Sequence, residues 1–252
     1  LDRPPTDDKR VRYALSMALD REAMRQALFN GEAEILEFPF PSFWGEQYYT
    51  PLEKLPAETR EQFEYNPDKA KQLLAEAGYP NGFKLELVYS ATGTLQGDIA
   101  AMVADFWKKI GVETELRPLE YASYYSAMMA RTYENTYLLS TDPGTPLAIM
   151  RKLGETGQRW NPAIFSDPWF DETLAKALLE MDDAKLAAML KELNVYLLDS
   201  CAYIQLPTAY NYEYAWPWLK NWYGEVFAGA YNSALIQARM WIDQKLKRQM
   251  GY

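Results

Sequence analysis

The sequence predicts an α/β fold, a mixed and mostly parallel sheet flanked by helices, on three observations. Residues 65–89 spell a capped helix, a turn and an alternating strand without interruption. Residues 83–116 then repeat the order strand, helix, strand, which is the grammar of a parallel βαβ unit. Finally, short polar loops follow the strands at 90–94 and 140–146, where α/β sheets bind their ligands.

Each element has its own justification. Asp7 or Asp8 is placed to cap a helix to about Leu19 with Val11, Ala14, Leu15 and Ala18 inward, and Asp20 a second one ending near Asn30-Gly31. Residues 34–59 carry Phe38-Pro39-Phe40-Pro41, Trp44, Tyr48, Tyr49, Pro51 and Pro56 with neither helical nor strand periodicity, so they read as a long aromatic loop. Asn66 caps the next helix, Pro67 suits its first position, and Ala70, Leu73, Leu74 and Ala77 form its apolar stripe. Gly78 and Pro80 stop it. Asn81-Gly82 turns the chain into a strand with Phe83, Leu85, Leu87 and Tyr89 on one face and Lys84 and Glu86 on the other. A helix over 95–110 closed by Gly111, a strand over 112–116, a helix over 120–130 and a strand over 135–139 continue the pattern. Asp167-Pro168 opens a helix to about Met181, and Asp182-Asp183 begins another to about Leu198.

Composition narrows the function. The 252 residues are 48% hydrophobic and 15% aromatic, enough for a core with aromatic surface left over. A formal net charge of −9 argues against nucleic acid as a partner. No apolar run approaches the length that spans a bilayer. The chain has no histidine, which removes Ser-His-Asp, Cys-His and histidine-metal chemistry, and nothing in it calls for a cofactor. Its one cysteine, Cys201, sits in an apolar stretch and reads as a buried thiol. A carboxylate-pair glycoside hydrolase is the distant enzymatic alternative, but the acidic residues fall at helix starts and solvent faces, isolating no acid and base.

Three runs carry a family resemblance. YNPDKAKQLLAEAGYPNGF at 65–83 resembles the signature Y-x-P-x-K-A-K-x-L-L-x-E-A-G-Y-P-x-G-F of the family 5 extracellular solute-binding proteins, receptors of ABC importers. Upstream, KRVRYALSMALDR at 9–21 resembles the same family's R-V-R-x-A helix, and downstream Tyr203 to Pro207 resembles its i-P-l strand. The resemblance implies a lobe of periplasmic-binding-protein type, a C-terminal portion of a longer receptor that lies outside the cytoplasm, secreted or membrane-tethered. It implies as partners a small-molecule or peptide solute, an ABC permease and the missing N-terminal lobe. Residues 1–207 would form the ligand-binding lobe, and the aromatic-rich 208–252 would return toward the other lobe. An oligosaccharide receptor of the same family is the second reading.

The candidate site follows from both lines. Strand-end logic points to Ser90, Thr92 and Thr94 and to the loop holding Thr141 and Asp142. In the family pattern G-W-x-x-D-x-x-D-P, Asp142 matches the aspartate that binds a peptide's α-ammonium, although Leu138-Leu139 replace Gly-Trp and Thr145 replaces the second Asp. From the residues alone, Asp142 could equally organise an Asp-Pro turn. The resemblance adds Trp160 and Asn161, and Trp44, as cleft residues; packing is the alternative for Trp160.

Overall fold

A computed structural model describes residues 1–139, 144–225 and 234–252. The chain divides into two compact units, Leu1–Ala209 and Tyr210–Tyr252. In chain order the first contains α1 (Lys9–Met17), α2 (Arg21–Phe29), β1 (Ala33–Glu34), α3 (Ala57–Glu61), α4 (Pro67–Glu76), β2 (Phe83–Ser90), α5 (Leu95–Lys108), β3 (Val112–Leu119), α6 (Tyr121–Ala130), β4 (Thr136–Tyr137), α7 (Pro146–Gly154), α8 (Pro168–Ala177), α9 (Asp183–Asp199) and β5 (Thr208–Ala209).

The helices start where polar caps sit. Asp8 accepts the N–H of Arg10, Asp20 that of Ala23, Asn66 that of Lys69, Asp167 that of Phe170, and Asp182 those of Ala184 and Lys185. Each carboxylate or amide satisfies donors that have no partner within the helix. Stops are equally local: Asn30 takes the left-handed conformation after α2, and Gly78 has φ +96° after α4.

β2 is the centre of a three-stranded parallel sheet of order β3-β2-β4. Phe83 pairs with Val112 and the register runs unbroken to Ser90 with Leu119, so β3 extends three residues past the expected Leu116. One face of β2, with Leu85 and Leu87, packs on α5 and on the α1 and α4 pair in the principal core. Trp107 of α5 donates its indole N–H to Leu15 O of α1 at 2.9 Å, tying the two layers. The opposite face is solvated at Lys84 but covered further along: Val88 is fully buried under Tyr124 and Tyr133. Burial on both faces, as at Leu87 and Val88, is the normal condition of a parallel sheet.

A second core joins α7, α8 and α9 through Ile149, Leu153, Phe170, Leu190 and Leu193. Helix α7 was not anticipated. Its cap is Thr145, whose Oγ1 accepts the Ala148 N–H, with Pro146 at the first position. The long loop at 34–59 contains β1 at its start, two short 3-10 turns (Ser42–Trp44 and Leu52–Lys54) and α3. Among the described residues the expected strand from Tyr203 to Pro207 does not form; Thr208–Ala209 pairs instead, antiparallel to Ala33–Glu34. Ile204 and Leu206 pack partly buried on the principal core, and the Gln205 carbonyl accepts from Arg21, so the segment is tethered without a ladder.

Cys201 is fully buried, and burial pushes its thiol up to about 11 against the opposing pull of Arg12 and Arg21. The neutral thiol is a poor nucleophile. Alkylation with iodoacetamide at pH 8 is therefore expected to leave the folded chain unmodified and to proceed once denaturant is added. Rapid labelling under native conditions would show that the segment opens.

The second unit holds β6 (Leu219–Lys220), α10 (Ala234–Gln237), β7 (Trp241–Ile242) and α11 (Gln244–Gln249). β6 and β7 pair antiparallel. Trp216 and Trp218 stack at 4.6 Å with Tyr252 against both, which buries Trp218 while the other two rings stay largely exposed.

Candidate ligand site

Three helices begin beyond the carboxyl ends of the parallel strands. β2 ends at Ser90 and leads through 91–94 into α5; β3 ends at Leu119 and leads through Glu120 into α6; β4 ends at Tyr137 and leads on to α7. This edge is where ligands of open α/β sheets bind, because helix N-termini and loop main chain present N–H donors there. The three N-termini differ. Glu120 caps α6 with its carboxylate on the N–H groups of Ala122 and Ser123, and Thr145 caps α7. Thr94 at the start of α5 makes no side-chain cap bond.

The predicted residues fall in different settings. Ser90 is buried; its Oγ accepts the Thr92 N–H at 3.2 Å and its N–H donates to Gln96 Oε1 at 2.9 Å, fixing the loop entrance. Thr92 and Thr94 are exposed on either side of Gly93. Thr141 and Asp142 lie outside the described residues. Trp160 is 40% exposed, with Tyr125 edge-on at 6.0 Å and Lys152 Nζ 4.9 Å over its ring. Asn161 is fully buried: its amide donates to Phe165 O at 2.8 Å and accepts the Phe165 N–H at 3.0 Å. Its Oδ1 also accepts from the Tyr203 hydroxyl at 3.3 Å, so its polar capacity is taken up by the protein. Trp44 packs among Phe40, Phe43 and Tyr48 beside the second core.

Sequence reasoning missed Tyr121 and Tyr125. Their rings meet at 4.8 Å, and with Trp160 they form an aromatic row that starts at the first residue of α6 and so at the strand-end edge. The i, i+4 spacing of two tyrosines on a helix was the available signal. A cavity of about 470 Å³ also lies in this unit, bordered by Tyr137, Leu138, Leu139, Ile204 and Leu206 among others; of the predicted residues that are described, none lines it. Among the described residues no group of three or more Cys, Asp or Glu side chains is placed to hold a metal.

The comparisons with known proteins bear on this geometry. The profile of the bacterial extracellular solute-binding proteins, family 5 (middle), matches residues 1–161. The chain belongs to this family. The family 5 chain is 32% identical over 228 residues to the periplasmic murein peptide-binding protein MppA of Escherichia coli, covering 86% of this chain and 40% of that protein. It is 29% identical over 222 residues to the heme-binding protein A of Haemophilus influenzae, covering 85% and 38% respectively. Its fold matches the dipeptide-binding protein of Pseudoalteromonas sp. SM9913, solved in complex with Met-Leu, with a TM-score of 0.72 at 23% identity over 82% of this chain and 41% of that one. The family 5 chain thus spans about two fifths of the length of the relatives it matches, with a parallel α/β unit of periplasmic-binding-protein type.

Proposed function

We propose that the chain is one lobe of a solute receptor that acts outside the cytoplasm, closes with a second lobe on a small peptide-like solute and delivers it to an ABC permease. The observation that carries this reading is the strand-end edge of a family 5 lobe, where the 90–94 loop, the start of α6 and the start of α7 come off adjacent strands. Relatives named for binding a murein peptide and heme support a binding role rather than a catalytic one. Two lobes hinged about a cleft exclude water from the captured solute, which strengthens its polar contacts.

In this reading Asp142 meets the solute's ammonium end and Thr141 is a further ligand contact. The 90–94 loop, with Ser90, Thr92 and Thr94, supplies polar contacts, and Trp160 with Tyr121 and Tyr125 supplies apolar rings. Tyr210–Tyr252 packs on the second lobe. A carboxylate in a partly dry cleft discriminates a primary ammonium strongly from neutral groups.

Isothermal calorimetry on the full-length receptor tests the proposal, with wild type and Asp142→Asn each titrated with pooled di- to pentapeptides and with pooled oligosaccharides. Peptide affinity is expected to fall by about 2 kcal/mol or more on removing the charge. Binding of oligosaccharides alone, indifferent to Asp142→Asn, would replace the peptide reading with ring stacking along Tyr121, Tyr125 and Trp160.

A further inference from the structure

β3 is an outer strand of the three-stranded sheet, and among the described residues no strand pairs with its free side. The Leu119 carbonyl accepts the Ala91 N–H at 2.8 Å, so Leu119 turns its main-chain groups toward β2. By the alternation of a strand, Arg117, Glu115 and Glu113 do the same, while Val112, Thr114, Leu116 and Pro118 turn theirs outward. An eight-residue edge of open N–H and C=O groups is a template for another strand. Two features interrupt the template. Pro118 falls on an outward position and has no N–H to donate. Glu113, Glu115 and Arg117 project from one face, where Glu113 lies 3.1 Å from Lys84 and Arg117 bonds Glu86 at 2.9 Å across the β2–β3 pair.

We propose that Pro118, Glu113 and Glu115 close this edge to strand addition by a second copy of the chain. A two-fold antiparallel pair sets outward residues against outward residues, so it has few registers. With Thr114 opposite Thr114 of the copy, Glu113 faces Glu115 on both sides of the axis, and like charges directly opposite are destabilising. With Thr114 opposite Leu116, Glu115 faces Glu115, and Pro118 falls opposite Val112 without the N–H that the ladder needs there. With Leu116 opposite Leu116, Glu115 meets Arg117 favourably, but Pro118 falls opposite Thr114 and leaves the Thr114 carbonyl without a donor. Sliding further sets Glu113 against Glu113 or Pro118 against Leu116. Every register therefore meets either paired carboxylates or the proline. The guard belongs to the sheet alone and holds whatever solute the chain binds.

Two single substitutions at exposed positions test this, because each opens a different register. Pro118→Thr restores the missing donor in the register with Leu116 opposite Leu116, where the charges already match. Glu115→Arg turns the Glu113 contacts of the register with Thr114 opposite Thr114 into opposite-charge pairs and leaves Pro118 outside the ladder. The full-length receptor carries each change, with folding checked by circular dichroism, mass by sedimentation at rising concentration, and amide exchange at Thr114 and Leu116 read against Glu115, which is turned into the β2 ladder. Wild type is expected to keep its monomer mass and to exchange Thr114 and Leu116 rapidly throughout. Both variants are expected to reach the mass of a dimer, with exchange at the two amides slowed at least about 10-fold as concentration rises. The new amide at position 118 of Pro118→Thr should slow with them. Monomeric behaviour of both variants would overturn the proposal, as would association that leaves Thr114 and Leu116 exchanging rapidly, or slow exchange at both amides in the wild type.

Discussion

Gly82→Ala is expected to cost about 3 kcal/mol or more of folding stability, a large fraction of the roughly 5–15 kcal/mol that keeps a typical domain folded. Gly82 has φ +73°, and a Cβ placed there would lie 1.8 Å from the carbonyl oxygen of Gly111 and 2.4 Å from its carbonyl carbon. Both obstructing atoms are backbone, so no side-chain rotation relieves them. The two glycines stand just ahead of Phe83 and Val112, the first pair of the β2–β3 ladder. Relief would have to separate the strands where their register begins. Gly111→Ala supplies the control: φ is +86° there, but the nearest atom to a Cβ is 3.5 Å away. That variant should lose only the conformational cost of about 1–2 kcal/mol. Urea unfolding followed by circular dichroism checks both, and equal losses at the two positions would refute the steric account.

Arg21→Ala is expected to lose about 3–5 kcal/mol, from a cavity and from carbonyls stripped of their donor. The guanidinium is almost fully buried; it donates to Gln205 O at 2.9 Å, Ser16 Oγ at 2.6 Å and Ser16 O at 3.1 Å, and it lies 5.2 Å from the Phe63 ring centre. Burial pulls its pKa down to about 10, so it stays charged at neutral pH. The charge is held by carbonyl and hydroxyl dipoles and an aromatic face. It also links α2 to the 203–207 segment. Arg21→Lys keeps the charge but has three donors on a point-like head in place of a planar fork, and should recover only part of the loss. Guanidinium unfolding measures the series; an alanine variant within 1 kcal/mol of wild type would mean that water replaces these bonds.

The helices were legible wherever an Asx cap or an X-Pro pair announced them, because a cap is a local hydrogen bond and needs no distant partner. Asp8, Asp20, Asn66, Asp167 and Asp182 each cap the helix that the sequence assigned to them. Thr145-Pro146 is the same signal, but reading those residues as part of a binding loop hid α7. The second covered face of β2 was not legible, since Val88 between Leu87 and Tyr89 carries no mark of what lies above it. The 203–207 segment alternates like a strand and fails to become one among the described residues, because a strand is made by its neighbour as much as by its own sequence. Of the site, the loops at strand ends followed from topology. The aromatic row along α6 did not, because it depends on the return of the chain at Trp160 to meet Tyr125.

The central position of β2 also sets an order of assembly. Its partners are supplied much later in the chain: Phe83 waits for Val112, and Leu87 for Thr136. The α1 and α4 helices, by contrast, pack on each other using residues already present before β2 is made. The loop between α1 and α4 is longer than the one that closes either ladder, so the order of synthesis and not loop length puts the helix pair first. A ribosome that delivers the chain from its N-terminus therefore releases a paired helical layer first, while the strand FKLELVYS waits with both edges open for its neighbours to be synthesised.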